Sequence, residues 1–297
     1  MTLPNFLIIG APKAGTTSLK YGLADHPEVF MAPDKPVSEP HFLSYEDDQW
    51  PDWAVKDQST YEALFDSAGE AKAVGEKSTW YLYSQAAPKR AAQHLPDVKV
   101  IAVLRDPVVR AYSSYRFNLQ LGIESLDSFD KALEREGKRI ERGMGFDKRY
   151  MQAGLYAQQL ERWFEAIGRE RVLVLIFEDL MDDAAVHLHQ ACEFLGIDKP
   201  RDMEPSHRNK TQKVRSPKVL RMVNKARAEL GWLPGPIKRL AVNTVNRLNR
   251  SNDPPPEFSP ATARALAEHY REDVAKLSGY LDRDLQSLWL DPHLRGD

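Results

Sequence analysis

A short apolar strand, a glycine-containing turn and a hydroxyl-rich helix start together form the feature that most restricts how this chain can fold. Residues 5–20 read Asn-Phe-Leu-Ile-Ile-Gly-Ala-Pro-Lys-Ala-Gly-Thr-Thr-Ser-Leu-Lys. Gly10 and Gly15 let the backbone come close to an anion, and the free N–H groups of the following helix point toward it. Because Lys13 adds a positive charge, the segment predicts a phosphate cradle at the end of a buried strand.

The spacing of this loop differs from that of the Walker A loop, which reads Gly-x-x-x-x-Gly-Lys-Ser/Thr. Here Lys13 lies two residues before Gly15, and Thr16 occupies the position of the Walker lysine. The loop is therefore expected to bind phosphate in another way. The alternative is an ordinary strand–turn–helix connection, because Thr and Ser are common helix caps.

A second strand-to-helix junction follows about ninety residues later, where the apolar run at residues 98–104 leads into an Arg-Asp-Pro turn. Asp106 suits a helix N-cap and Pro107 suits a first helical turn. Arg105 is then expected at the mouth of the sheet. Ser113, just over two turns into the helix, could join it on one phosphate. The alternative for this turn is a structural ion pair and cap.

Together and in this order, the two junctions resemble the sulfotransferases that use 3′-phosphoadenosine 5′-phosphosulfate (PAPS). The resemblance implies that the first loop binds the 5′-phosphosulfate and that Arg105 and Ser113 bind the 3′-phosphate. It also implies that the product is 3′,5′-bisphosphoadenosine (PAP) and that no metal is required. The ligands implied in the first loop are Lys13, Ala14, Gly15, Thr16, Thr17 and Ser18.

Further segments resemble the carbohydrate branch of this family, which includes the heparan-sulfate type. Residues 38–43, Ser-Glu-Pro-His-Phe-Leu, are similar to its Glu-x-x-His or Glu-x-His segment. Residues 75–78 match a Gly-Glu-Lys-Ser turn, and residues 154–156 match a later Gly-Leu-Tyr segment. The similarity runs from about residue 5 to residue 200 and continues more loosely to the end.

The resemblance implies that Glu39 is the general base, with His41 as the second choice. A carboxylate can take the proton of a hydroxyl, or assist an amine, when it lies within hydrogen-bond reach. Lys13 would stabilise negative charge on the bridging oxygen. Lys77 could polarise the sulfuryl group or orient Glu39. Alternatively, Lys77 only caps strand-end carbonyls or pairs with Glu76, and Glu39 is a solvated loop carboxylate.

Positive charge is concentrated in residues 201–250, which contain 13 Lys and Arg against 3 Asp and Glu, although the whole chain has a net charge of −2. No zinc-finger spacing or RNA-binding aromatic motif accompanies this charge, so a nucleic-acid partner is not expected. The resemblance implies that a basic loop at residues 208–215 covers the adenosine and the 3′-phosphate, with Arg208 and Lys210 as contacts. A solvated linker between helices is the alternative.

Alternating strand and helix patterns predict an α/β fold with a parallel sheet. We expect a three-layer sandwich, related to P-loop NTPases and typical of sulfotransferases, with the site at the carboxyl ends of the strands. Residues 1–297 are expected to form a single sulfotransferase domain, with a basic helical subregion at about 201–258 covering the site. Strands are predicted at 5–10, 73–77, 98–105 and 171–177, and helices at 16–25, 84–94, 107–120, 126–142, 150–166, 182–195 and 260–278.

Composition indicates a soluble globular protein, because 42% of residues are hydrophobic, 28% are charged, and no apolar run approaches the ~20 residues that span a bilayer. The first strand begins within five residues of Met1, which leaves no room for a secretion signal. Golgi members of the family that the sequence resembles carry a membrane anchor and often a disulfide, neither of which is expected here, so the resemblance implies a cytoplasmic, bacterial-type enzyme. Cys192 is expected in the core, and His187 and His189 are expected at the surface rather than on a metal. The oligomeric state is not indicated.

The predicted function is sulfuryl transfer from PAPS to a hydroxyl or amine of a glycan, glycolipid or small-molecule acceptor. One alternative is a nucleotide kinase or NTPase, which should have the Walker lysine and a carboxylate for magnesium. The other is a non-catalytic module that binds anions or glycans. Aromatic residues are frequent between Phe42 and Phe65 and again at Trp80, Tyr81 and Tyr83, where they suit an acceptor wall and also a protein core.

Overall fold

Five parallel strands form the centre of the structure, a computed structural model that describes residues 3–44, 54–143, 146–199, 213–214, 250–251 and 258–295. The strands are β1 (Phe6–Gly10), β2 (Val29–Met31), β3 (Ala73–Lys77), β4 (Lys99–Leu104) and β5 (Val172–Ile176). Their order across the sheet is β2-β3-β1-β4-β5. A separate antiparallel pair consists of β6 (Lys213–Val214) and β7 (Arg250–Ser251).

Among the described residues the α-helices are α1 (Thr16–Ala24), α2 (Gln58–Ala63), α3 (Ala87–His94), α4 (Pro107–Leu121), α5 (Phe129–Glu134), α6 (Glu136–Glu141), α7 (Tyr156–Ile167), α8 (Phe177–Asp182), α9 (Ala184–Leu195), α10 (Pro260–Leu281) and α11 (Asp291–Arg295). Helices flank the sheet in two groups, one containing α1, α8 and α9 and the other containing α3, α4, α7 and α10. Short 3₁₀ turns lie at Phe42–Ser44, Phe146–Lys148, Gln152–Gly154 and Arg169–Arg171, and a π-helical turn lies at Gln286–Leu290.

The central strands are mainly apolar because helices cover both faces of the sheet, and the charged residues Glu76, Lys77 and Lys99 lie at strand ends. Every residue of β1 and β3 is buried, and so is β4 from Val100 to Leu104. A strand with one face in water would alternate polar and apolar residues, whereas a parallel strand between two helix layers reads as a continuous apolar run. The predicted α/β sandwich with a central parallel sheet is therefore confirmed.

The chain leaves β1 and β4 in opposite directions, although these strands are neighbours. The connection through α1 leads from β1 to the β2 edge, and the connection that begins with α4 leads from β4 to the β5 edge. Adjacent strands with diverging connections leave a crevice at their carboxyl ends, where α/β folds bind their ligands. The two loops predicted to bind phosphate both begin at this crevice.

Some element boundaries differ from the prediction. Strand β2 was not predicted, because three residues are too few to show a periodic pattern. The helix expected at 126–142 is divided at Arg135 into α5 and α6. The chain beyond α10 adds a π-helical turn and α11, which contribute the fully buried Trp289.

Most of the predicted basic subregion, including Arg208 and Lys210, lies outside the described residues. Within it, Lys213 pairs with Ser251 and Val214 pairs with Arg250 in the two-stranded sheet. Strand β6 lies beside α4, the helix that follows the Arg-Asp-Pro turn. The four described residues of this small sheet are the part of the subregion that the structure places beside α4.

The two expectations for Cys192 and the histidines of α9 have different outcomes. Cys192 is fully buried, as predicted. His187 is buried as well, so its expected surface position was wrong; its Nε2 lies 3.0 Å from the carbonyl oxygen of Ile176. No helix in the described ranges is both long enough and apolar enough to cross a membrane.

We predict that Gly75→Ala will destabilise the sheet. Gly75 lies on β3 opposite Phe6 of β1, and a Cβ atom at Gly75 would come within 2.3 Å of the Phe6 ring. Overpacking of this kind costs about 1–3 kcal/mol in free energy of unfolding. Gly279→Ala is the matched control, because a Cβ there meets nothing within 4 Å and should stabilise α10 by up to about 1 kcal/mol. Urea unfolding followed by circular dichroism tests both, and an unchanged Gly75→Ala midpoint would contradict the packing argument.

Candidate active site

The loop between β1 and α1 has the geometry of an anion cradle. Gly10 has φ of 146°, and a Cβ atom there would come within 2.7 Å of the Thr79 carbonyl oxygen, so only glycine fits. Helix α1 begins at Thr16 after Gly15, with no side-chain cap and no acidic residue in its first turn. Its first N–H groups are therefore available to a negatively charged ligand.

Lys13 projects from the middle of this loop into a cluster of positive charge. Its backbone is in the left-handed region, with φ of 68°, and its Nζ lies 3.9 Å from the centre of the Phe117 ring. Burial and three neighbouring charges lower the pKa of the Lys13 ammonium to about 8, and these charges belong to Arg105, Arg116 and Lys77. Like charges at close range are unfavourable without a counterion, so this arrangement favours an anion.

Arg105, at the end of β4, faces the same cradle. Its Nη1 donates to the carbonyl oxygen of Lys13 at 3.1 Å, and its guanidinium lies 4.5 Å from the centre of the Phe177 ring. Burial lowers the pKa of Arg105, while Glu178 opposes this shift. A guanidinium has five N–H donors, so the contact with the loop leaves donors for a ligand. Ser113 is half-buried on α4.

An ion pair between the half-buried Glu39 and the buried Lys77 lies beside this cluster of cations. The Lys77 Nζ donates to Glu39 Oε1 at 2.5 Å. Thr79 donates to Glu39 Oε2 through its backbone N–H at 2.9 Å and through its hydroxyl at 2.7 Å. Burial alone would raise the pKa of Glu39, but the charge of Lys77 and the contacts with His41 hold it well below its usual range. Glu39 is therefore an ionised carboxylate rather than a solvated loop residue.

His41 completes this group, with its Nε2 at 3.4 Å from Glu39 Oε2. The residue is buried and has a left-handed backbone, with φ of 54°. Its backbone N–H donates to Ser78 Oγ at 3.0 Å, and Ser78 Oγ donates to Glu76 Oε2 at 2.8 Å. Non-glycine residues in this conformation carry strain and are concentrated at functional sites.

The suggested pairing of Lys77 with Glu76 does not occur. Successive residues of a strand point to opposite faces, so the two side chains diverge from β3. Lys77 reaches Glu39, whereas Glu76 is fully buried and accepts a hydrogen bond from Tyr61 at 3.2 Å. Burial raises the pKa of Glu76. Glu76 therefore stabilises the turn through the hydrogen bonds that it accepts from Ser78 and Tyr61.

Three polar residues of the site were not predicted from the sequence. Thr79 directly follows the Gly-Glu-Lys-Ser turn, and its hydroxyl could have marked it as a hydrogen-bond donor to the site. Arg116 lies three residues after Ser113 on α4, close enough to influence Lys13. Asp147 lies within electrostatic range of both His41 and Glu39; loss of hydration raises its pKa, and His41 opposes the shift. Asp147 belongs to a 3₁₀ turn far along the chain, where nothing in the sequence marked it.

The aromatic residues divide between core and site. Tyr61 is buried and stacks on Phe42 with ring centres 4.2 Å apart, and Tyr81 is also buried. Trp80 is partly open and lies 6.1 Å from Phe146, measured between ring centres. Trp80 directly follows Thr79, which donates to Glu39, and Phe146 directly precedes Asp147, which lies within electrostatic range of Glu39. The predicted aromatics Tyr45, Trp50 and Trp53 lie outside the described residues.

The part of the chain that the structure describes contains no group of three or more His, Cys, Asp or Glu side chains arranged to hold a metal ion. Lys13 lies close to Arg105, whose Nη1 donates to the Lys13 carbonyl oxygen, and within electrostatic range of Lys77, which donates to Glu39. The site therefore combines an anion cradle with an ionised carboxylate held by a lysine.

Comparison with known proteins identifies similar chains. Mouse heparan sulfate glucosamine 3-O-sulfotransferase 3A1 is 32% identical over 200 residues, which cover 66% of this chain and 46% of the mouse protein. Human bifunctional heparan sulfate N-deacetylase/N-sulfotransferase 3 is 29% identical over 205 residues, which cover 66% of this chain and 22% of the human protein. The chain thus spans less than half the length of these relatives.

A crystal structure of a sulfotransferase from Alicyclobacillus acidocaldarius is similar over nearly the whole chain. The TM-score is 0.76 at 28% sequence identity, covering 97% of this chain and 99% of the other. The sulfotransferase domain of the curacin biosynthetic pathway shares the fold at 18% identity and a TM-score of 0.50. The family model of the sulfotransferase domain matches residues 3–278. This chain therefore belongs to the sulfotransferase family.

Proposed function

We propose that this protein transfers the sulfuryl group of PAPS to a hydroxyl or amine of a glycan, glycolipid or small-molecule acceptor. The observation that supports this proposal is the position of the Glu39–Lys77 pair beside the cradle of Lys13 and Arg105. An anion site alone would suit a binding protein, whereas an ionised carboxylate next to it can accept a proton. The absence of the Walker lysine from the loop disfavours a kinase.

The residues of the crevice fit a donor with phosphate at both ends. The uncapped N-terminus of α1 and the Lys13 ammonium suit the 5′-phosphosulfate. We assign Arg105 and Ser113 to the 3′-phosphate, as the resemblance implies. Arg208 and Lys210 remain proposed contacts of the same donor. The ligands proposed for the 5′ end are Lys13, Ala14, Gly15, Thr16, Thr17 and Ser18.

In the proposed mechanism, the protein stabilises the charge that develops on the leaving phosphate and positions the general base. When bound, PAPS supplies the sulfuryl group, and its bridging oxygen keeps the electron pair of the broken S–O bond as PAP leaves. Lys13 and the N–H groups of α1 neutralise the charge that develops on that oxygen. Glu39 takes the proton of the acceptor as the acceptor oxygen or nitrogen bonds to sulfur. His41 and Thr79 hold Glu39 in place.

Lys77 links the donor and acceptor halves of the site. In the structure its ammonium donates to Glu39, and it also lies within electrostatic range of Lys13. An anionic donor beside Lys77 would attract the Lys77 ammonium and weaken its interaction with Glu39. The pKa of Glu39 would then rise, and the carboxylate would become a stronger base when the donor is in place.

The acceptor class rests on two observations. The relatives with heparan sulfate in their names suggest a carbohydrate, and the Trp80–Phe146 cluster beside Glu39 offers an aromatic face of the kind that packs on sugar rings. Asp147 adds a carboxylate to the same side of the site. A glycan or glycolipid with a free hydroxyl is therefore our first choice for an acceptor screen.

We predict that PAP binds without magnesium and that Lys13→Ala weakens this binding by at least about tenfold, because the substitution removes a charge-assisted contact. Isothermal titration calorimetry with PAP, and in parallel with ATP and magnesium, measures both. Lys131→Ala is the matched control, since Lys131 is an exposed lysine on α5. A preference for magnesium-ATP would favour the kinase, and binding of neither nucleotide would favour a non-catalytic module.

We predict that PAP affinity falls as pH rises above about 8, the pKa of the Lys13 ammonium in the free protein. Bound anion favours the charged lysine, so the affinity is full below this pKa and decreases by up to about tenfold per pH unit above it. The phosphates of PAP stay ionised over this range. Lys13→Arg keeps its charge and should give a flatter profile. A flat wild-type profile between about pH 7 and pH 9.5 would contradict the prediction.

We predict that Glu39→Gln retains PAP binding but loses about 10²- to 10⁴-fold in turnover, because the amide cannot accept a proton. Turnover is measured with labelled PAPS and an acceptor found in the screen, and PAP affinity is measured by calorimetry. Glu268→Gln, an exposed carboxylate on α10, is the control. Unchanged turnover in Glu39→Gln would remove Glu39 from the mechanism and make His41 the next candidate.

A further inference from the structure

We propose that His293 and Trp289, from the C-terminal segment, position the Arg105–Asp106 turn and thereby set the affinity for the 3′-phosphate without touching the donor. This inference rests on the proposed function, which assigns Arg105 to that phosphate. His293 and Trp289 are positioning residues, and neither belongs to a motif of the sequence analysis.

Two carboxyl groups hold the backbone of the turn. Asp106 Oδ1 accepts a hydrogen bond from the Val108 N–H at 2.8 Å and so caps α4. Glu178 Oε1 accepts from the Asp106 N–H at 3.1 Å. Tyr156 adds a third contact, because its hydroxyl donates to the Arg105 carbonyl oxygen at 2.9 Å. The orientation of Arg105 therefore depends on the placement of these carboxyl groups.

The C-terminal segment binds the second oxygen of each carboxyl group. His293 Nε2 lies 2.7 Å from Asp106 Oδ2, and Trp289 Nε1 donates to Glu178 Oε2 at 3.0 Å. Trp289 is fully buried, and His293 follows it by four residues, so both side chains can reach the turn from one side. Each carboxyl thus bridges the turn and the C-terminal segment.

His293 also has an electrostatic effect on the phosphate site. A carboxylate oxygen only accepts hydrogen bonds, so His293 Nε2 must carry the proton that it shares with Asp106. Burial raises the pKa of Glu178, and the neighbouring Asp106 adds a small contribution to that shift, so the two carboxyl groups lie within electrostatic range of each other. Arg105 interacts with both carboxylates. Without His293, Asp106 would turn toward Arg105 and compete with the 3′-phosphate.

The experiment compares ligands that differ only in the 3′-phosphate. PAP and 5′-AMP are titrated by calorimetry into wild type, His293→Ala, His293→Gln and the control His269→Ala, which alters an exposed histidine of α10. We expect His293→Ala to weaken PAP binding about tenfold and to leave 5′-AMP binding within about twofold. The amide N–H of His293→Gln should restore most of the loss. In turnover, the KM for PAPS should rise while kcat stays nearly constant.

The inference is overturned if His293→Ala binds PAP as wild type does, or if PAP and 5′-AMP lose affinity equally, because an equal loss indicates general damage to the fold. Circular dichroism and the Tm show whether His293→Ala is folded. If it is unfolded, His293→Gln is used for the test instead. A folded His293→Gln that binds both ligands weakly also overturns the inference. Wild-type protein that does not bind PAP would instead refute the proposed function. Normal PAP binding with no effect of His293 refutes this inference alone.

Discussion

The site depends on the position of β1 between β3 and β4 in an all-parallel sheet. Parallel pairing brings the carboxyl ends of the three strands to one edge, so three loops that are distant in sequence begin side by side. The first loop carries Lys13, the second carries Lys77 and Thr79, and the third carries Arg105. Burial of the strands fixes these positions more firmly than contacts among the loops could.

Much of this arrangement could be predicted because its signals are local. The cradle lies within one strand–turn–helix segment, and the cap at Asp106 needs only the residues next to it. The fold class followed from apolar strands that alternate with helical patterns, and the structure confirms it. The closeness of Glu39 to Lys77 was suggested only by family resemblance, since no local rule joins residues 38 positions apart.

The remainder depends on tertiary contacts that leave little trace in one sequence. Thr79 holds Glu39 through a backbone N–H as much as through its hydroxyl, and backbone donors carry no residue signature. His187 was misplaced at the surface because the His-x-His pattern of α9 does not reveal that Ile176 of β5 supplies a carbonyl partner. His293 contacts Asp106 across 187 positions, in a segment beyond the last predicted helix.

The hydrogen bond from Arg105 to the Lys13 carbonyl oxygen joins the two loops that would hold opposite ends of the donor. A fragment that immobilises one loop would lower the entropy cost of ordering the other, so the two halves of the crevice would share a coupling free energy. Fragments carrying one phosphate each would then bind with positive cooperativity. Two such fragments would therefore bind more tightly together than either binds alone, even without a covalent link between them.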